Sequence, residues 1–277
     1  MADGTWRVRD EVAAEAGRYR LALGSRRYRG RTGQRRGTGV GSSLEFHDFR
    51  DYAPGDDLRH VDWRGYARSE LLRVRLHQEE VAPHLDVVLD TSASMAATEA
   101  KERAARVLGA ALLHWAQREG TAVRVQALGG DRLPADAEAW PFTGAAAAPA
   151  PPAVPLRPNG VRVLVSDGLW DADPLPLLRT LQHGAARFLL LQLLDPWEIA
   201  PGADGARTLL DVETGARTEV QIDAAAIAGY RARLERLVAV LRAQVVGSGG
   251  VFAQVAAAPL ATMAAQALLP AGVVEPA

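Results

Sequence analysis

No cysteine occurs in the 277 residues, which excludes disulfides and thiolate metal sites. Lysine is nearly as scarce: Lys101 stands alone, so almost all positive charge is arginine. With no Gly-Lys pair there is no phosphate-binding loop, and ATP hydrolysis by this chain alone is not expected. No Gly-x-Ser-x-Gly elbow marks a serine hydrolase, and the six histidines show no zinc-binding spacing such as His-Glu-x-x-His. The longest dense apolar run, Phe188 to Leu194, is far short of the roughly 20 residues that span a bilayer. The opening Met-Ala-Asp-Gly-Thr-Trp-Arg lacks the apolar core of a signal peptide, so a soluble cytoplasmic chain is expected.

What is present is ordinary in amount and uneven in distribution. Hydrophobic residues make up 48% and charged residues 23%, enough for a full globular core. A net charge of -1 gives no general attraction to nucleic acid or acidic membranes. Yet Arg18, Arg20, Arg26, Arg27, Arg29, Arg31, Arg35 and Arg36 fall in one stretch without a single acid. Such an arm can be solvated, or can meet phosphate or an acidic partner.

Along the chain, strands and helices alternate. Val8, Val12, Ala16, Tyr19 and Leu23 share one face of a short helix, and Gly24 to Ser43 reads as an aperiodic loop. Leu71 to Leu76 alternates apolar residues with arginine as a half-exposed strand does. Leu85 to Leu89 is a buried-strand run, followed by a helix from Glu99 that Thr98 caps. Further strands fall at Thr121 to Leu128, Val161 to Ser166, Phe188 to Leu194 and Val251 to Val255. Helices are expected from Pro174 to His183, through Ile227, Leu234 and Leu241, and from Pro259 to Leu268. The proline-rich stretch from 134 to 158 reads as a linker or surface loop, and 205–222 as an inserted hairpin. The fold class is therefore α/β, a doubly wound, mostly parallel sheet over 81–277. A smaller β-containing amino-terminal subdomain occupies 1–80.

Two of the buried strands end in a carboxylate, Asp90 and Asp167, and Ser92 and Ser94 follow the first at alternate positions. In a doubly wound sheet such strand ends share the edge where ligands bind, and oxygen-only donors suit magnesium or manganese. Asp90-x-Ser92-x-Ser94 resembles the metal-ion-dependent adhesion site of von Willebrand factor A domains. That resemblance implies Ser92 and Ser94 as direct ligands and Asp90 and Asp167 as carboxylates acting mostly through water. A partner's acidic side chain would complete the shell. It also implies a loop threonine, for which Thr143 in Pro-Phe-Thr-Gly is the best candidate.

A second resemblance covers almost the whole chain. Gly39-Val-Gly-Ser-Ser-Leu-Glu45-Phe46, Arg50-Asp-Tyr52, Pro54-Gly55-Asp56-Asp57-x-Arg59-x-x-Asp62-Trp63 and Ala67-Arg68 precede the serine motif. Ser166-Asp167, Asp195-Pro-x-Glu198 and Asp211-x-Glu213-Thr214-Gly215 follow it. In that order they are similar to the bacterial family known as domain of unknown function 58. The resemblance implies a partner of a MoxR-type AAA+ ATPase, acting as adaptor or chaperone on a client protein. Many members carry two amino-terminal membrane helices; none is readable here, so a chain without membrane attachment is expected. Arg50, Tyr52, Asp56, Asp57, Arg59, Asp62 and Trp63 offer arginine-carboxylate pairs around two rings. These can lock an irregular segment internally or form a docking face.

A non-enzymatic interaction module is thus the leading expectation. The alternatives are a phosphohydrolase with Asp90 as nucleophile and Lys101 as phosphoryl cation, or nucleic-acid binding through the arginine arm, which has few interleaved aromatics.

Overall fold

The computed structural model describes residues 7–22, 44–53, 61–79, 84–143, 150–202 and 205–277, with the backbone alone for 44–50 and 75–79. The arginine-rich stretch from 24 to 43 lies outside them. The chain forms two compact units, one of residues 1–23 with 83–277 and one of 24–82.

The larger unit begins with α1 (Val8–Glu15) and β1 (Tyr19–Leu21). The smaller unit holds β2 (Leu44–Asp51), α2 (Trp63–Ser69) and β3 (Arg73–Glu79), with β2 and β3 antiparallel around a bulge between Phe46 and Asp48. The larger unit resumes with β4 (His84–Leu89), α3 (Glu99–Arg118), β5 (Ala122–Ala127), β6 (Val161–Ser166), α4 (Leu175–Gln182) and β7 (Arg187–Leu194). It ends with α5 (Pro196–Ile199), β8 (Gly205–Leu210), β9 (Arg217–Ile222), α6 (Ala224–Gly247), β10 (Val251–Ala256), α7 (Leu260–Met263) and β11 (Val274–Pro276).

The expected segment 1–80 is divided, because β1 pairs antiparallel with β11 and so binds the amino end to the last residues of the sheet unit. Glu11 of α1 reinforces this by accepting from the Leu260 amide at 2.8 Å and pairing with Arg103 of α3 at 2.8 Å.

Five parallel strands stand in the order β10-β7-β6-β4-β5, so the sheet is doubly wound as expected. The chain lays down β4, crosses to β5 on one side, then crosses back to β6 on the other. The topological switch point therefore lies between β4 and β6. Register sets Val88, Leu164, Leu190 and Phe252 in one row across four strands. That row packs on Leu177, Leu178 and Leu181 of α4 and on Leu241 and Val245 of α6. Helix α3 packs against β4, β5 and β7, burying Ala104, Leu108, Ala111, Leu112 and Trp115. Thr98 caps α3 as the sequence suggests, its side chain accepting from the Lys101 amide at 3.1 Å.

Of the stretch from 134 to 158, the described residues 134–143 are no free linker. Trp140 is fully buried against α3 at Gly109, its Nε1 donating to the Pro134 carbonyl at 2.8 Å, and Phe142 lies beneath the Arg106 guanidinium. A Cβ at Gly109 would stand 2.5 and 2.7 Å from two carbons of that ring. Gly109→Ala is accordingly expected to lower stability by about 1–3 kcal/mol, since overpacking forces ring or helix to move. Urea unfolding measures this, and an unchanged midpoint would show that Trp140 is not wedged there.

Candidate functional site

The switch point is where the sequence places its polar cluster. Beyond β4, the Asp90 amide makes one more rung by donating to the Val165 carbonyl at 2.8 Å. The Asp90 side chain, 3% exposed, then organises the loop. Its Oδ1 accepts from the Ser92 amide at 3.0 Å, and its Oδ2 accepts from Ser166 Oγ at 2.6 Å and Trp170 Nε1 at 3.1 Å. A short 3-10 turn from Ala93 to Ala96 follows, pinned by the fully buried Met95. This leaves Ser92 Oγ and Ser94 Oγ hydrogen-bonded to each other at 3.0 Å.

Asp167 continues β6 on the neighbouring strand end and is 1% exposed. Ser166 joins the two acidic positions: its Oγ donates to Asp90 and accepts from the Gly168 amide at 2.9 Å. Gly168 has φ 69, a left-handed conformation that side chains strain to adopt, and it turns the chain just past Asp167. Asp167 Oδ1 accepts from the Leu169 amide at 3.1 Å, and Oδ2 from Lys101 Nζ at 2.9 Å.

Lys101 is the unexpected member. Its side chain has no exposure, and its ammonium also donates to Glu198 Oε1 at 2.8 Å. Glu198 Oε2 accepts from the Asp195 amide at 2.7 Å in the capping box of α5, and Asp195 Oδ2 accepts from Thr98 Oγ1 at 2.7 Å. The Tyr230 hydroxyl of α6 donates to the Glu198 carbonyl at 2.7 Å. One polar chain thus ties the starts of α3 and α5, the end of β6 and the second turn of α6. Burial alone would lower the Lys101 pKa, but the Asp167 and Glu198 charges outweigh it and hold the ammonium above the usual lysine range. Tyr230 is pushed upward by burial and by the same two carboxylates.

Asp90 and Asp167 therefore meet at one edge, each already engaged by protein donors. Thr143 is exposed, and among the described residues no hydrogen bond reaches it. Of the arginine-carboxylate set, Asp56, Asp57 and Arg59 lie outside the described residues, and Arg50 is placed in β2 by its backbone alone. Tyr52 donates its amide to the Leu72 carbonyl, the Asp62 amide donates to Arg73, and Trp63 is 53% exposed with its ring edge-to-face on Tyr66.

Sequence reasoning passed over Trp170 and the buried role of Lys101, and it named Ser166 and Glu198 only as motif residues without a role in the site. A signal existed for the lysine: positions 101, 104, 108, 112 and 115 form the apolar stripe of α3, so a charge at 101 faces inward. A third buried carboxylate, Asp86, sits four residues before Asp90 at the other end of β4. It accepts from Arg124 Nε and Nη2 and from the Arg157 amide, Nε and Nη2, all within 3.1 Å. Burial would raise its pKa, yet the Arg157 and Arg124 hydrogen bonds hold it below the usual carboxylate range.

Comparison with known proteins agrees with part of this picture. The family described as "Protein of unknown function DUF58" matches residues 48–139, from β2 through the loop beyond β5. None of the curated proteins matches the sequence. Among solved structures, the conserved hypothetical protein BatB from Bacteroides thetaiotaomicron is similar over 66% of this chain and 95% of its own, at 12% identity and a TM-score of 0.37. An aerotolerance-related membrane protein from Bacteroides fragilis NCTC 9343, in a form with multiple mutations to serines, is similar over 55% and 88%, at 12% identity and a TM-score of 0.29. In this chain, no helix among the described residues is long and apolar enough to cross a membrane.

Proposed function

We propose that the chain is a non-enzymatic protein-interaction module of the von Willebrand factor A type. In this reading its serine pair takes Mg2+ or Mn2+, and it serves a MoxR-type AAA+ ATPase as adaptor for a client protein. The observation that supports the cation is the spacing of the two hydroxyls. A metal-oxygen distance of about 2.1 Å puts adjacent ligands of an octahedron about 3.0 Å apart, and Ser92 Oγ and Ser94 Oγ, hydrogen-bonded to each other at 3.0 Å, already stand at that spacing and would exchange their mutual bond for the ion. Among the described residues no group of three or more His, Cys, Asp or Glu is placed to hold a metal. Hydroxyls and water would therefore dominate the shell.

The donor set fits a hard, weakly neutralised ion. Bound there, such an ion supplies an electrophilic point that a partner's carboxylate can complete. Asp90 orients Ser92 through its amide and contributes negative charge from beneath. Met95 fixes the loop, so the pair is held ready. The ATPase is supported by the resemblance of residues 39–68 and the later motifs. The same burial weighs against a phosphohydrolase: with Oδ1 and Oδ2 of Asp90 both engaged, neither oxygen is presented for in-line attack.

The test is capture on an immobilised MoxR-type ATPase from the same host. Wild type is expected to be retained in Mg2+ and lost in chelator, with Ser92→Ala lost in both. Equal retention of wild type and Ser92→Ala, with or without chelator, would refute the cation-assisted mechanism.

A further inference from the structure

We infer that Lys101 is the built-in cation of this edge: its ammonium keeps Asp167 from ligating a metal at the serine pair and so sets how weakly that pair holds one. This rests on the serine-pair reading above and assigns the residue that regulates it. Three observations carry it. The lysine is placed against its helix, since the first turn of α3 is the positive end of the dipole and disfavours a cation. It is nevertheless fully buried there, and it bridges Asp167 and Glu198 at 2.9 and 2.8 Å. Lys101 and the Leu169 amide together engage both oxygens of Asp167, the carboxylate on the strand end next to the Ser92 loop.

A positive charge in a dry site also repels a second one nearby, so metal and ammonium compete for the same acid. Methionine keeps the length of the lysine stem and removes the charge. Asp167 then lacks its main partner and is available to a divalent ion. Each added anionic ligand tightens binding of a hard cation.

The experiment is calorimetric titration of the full chain with Mn2+, for wild type, Lys101→Met, Lys101→Arg and the pair Lys101→Met/Asp167→Asn. Lys101→Met is expected to bind about tenfold or more tightly than wild type, because ligand charge is what tunes such sites. Lys101→Arg, which keeps the charge, stays near wild type, and Asp167→Asn cancels the gain. Lys101→Met/Glu198→Gln removes one of the two stranded acids and gives the same reading if the single variant does not fold. Tight binding by Lys101→Met with none by wild type supports the lysine's role and contradicts cation binding by the native serine pair. Wild-type binding that Lys101→Met leaves unchanged overturns the inference and spares the serine pair. No binding by any folded variant overturns both.

Discussion

Lys101→Met, in chelator, is expected to lower the stability of the larger unit by about 3–5 kcal/mol, because breaking a buried ion pair strands the surviving charges. Two carboxylates lose their shared donor at once, and Asp167 has almost no access to water that could compensate. Glu198 is somewhat better solvated, at 16% side-chain exposure, so most of the loss belongs to Asp167. At roughly 2–4 °C per kcal/mol for a unit of this size, the melting temperature falls by about 10 °C.

The pH dependence follows from the direction of the shift. The ammonium is held above its ordinary 10.5, so its contribution is full below that value and is lost as pH rises through the folded value. Tyr230, also held upward from 10.0, adds to the same alkaline limb. Urea unfolding across the alkaline range should show wild-type stability falling steeply and Lys101→Met falling less. Parallel curves would mean that the lysine is not the titrating element.

Asp86→Asn is the second large effect, with an expected loss of about 3–5 kcal/mol by the same reasoning. The amide keeps the shape of the carboxylate and removes the charge that Arg124 and Arg157 share, while its NH2 faces donors. Arg157 carries 29% side-chain exposure and is partly relieved by water; Arg124, at 11%, is not. Here the sign is opposite. Asp86 is held below its ordinary 3.8, so its contribution is full above that value and is lost as pH falls through the folded value. Acid unfolding of Asp86→Asn should therefore begin from a lower plateau and show a shallower limb. A variant as stable as wild type at neutral pH would contradict the assignment of this cluster as the anchor of the sheet's amino edge.

Asp86 within β4 and Asp90 just beyond it, four residues apart, divide the labour between the strand's two ends. Asp86 fixes the amino edge to β5 and to Arg157. Asp90 shapes the carboxyl edge, where the switch point opens. A strand rigid at both ends presents its loop without the disorder that would blur a two-hydroxyl site.

Much of this was legible in the residues. The central strands declared themselves as apolar runs broken only by single polar or charged residues such as Asp86 and Arg162, the pattern of strands covered on both faces, and Val161–Ser166 falls where the run does. Alternation with helices fixed the doubly wound class, and that class placed Asp90 and Asp167 on one edge before any distance was known. What each carboxylate touches was not legible. Lys101 lies 66 positions from Asp167 and 97 from Glu198, and no local pattern encodes such a pairing. The β1–β11 pairing was missed for a related reason: three-residue strands at opposite ends of the chain carry no periodic signal. Trp140 was missed because alanine and proline around it mimic a linker, although a glycine on α3 had left the space for it.

The central claim is that Ser92 and Ser94 hold a hard divalent cation at the switch point. Calorimetric titration of wild type and Ser92→Ala/Ser94→Ala with Mg2+ tests it most directly. The account predicts saturable one-to-one binding by wild type and none by the double variant, with both equally folded. Equal heats from the two proteins would contradict it.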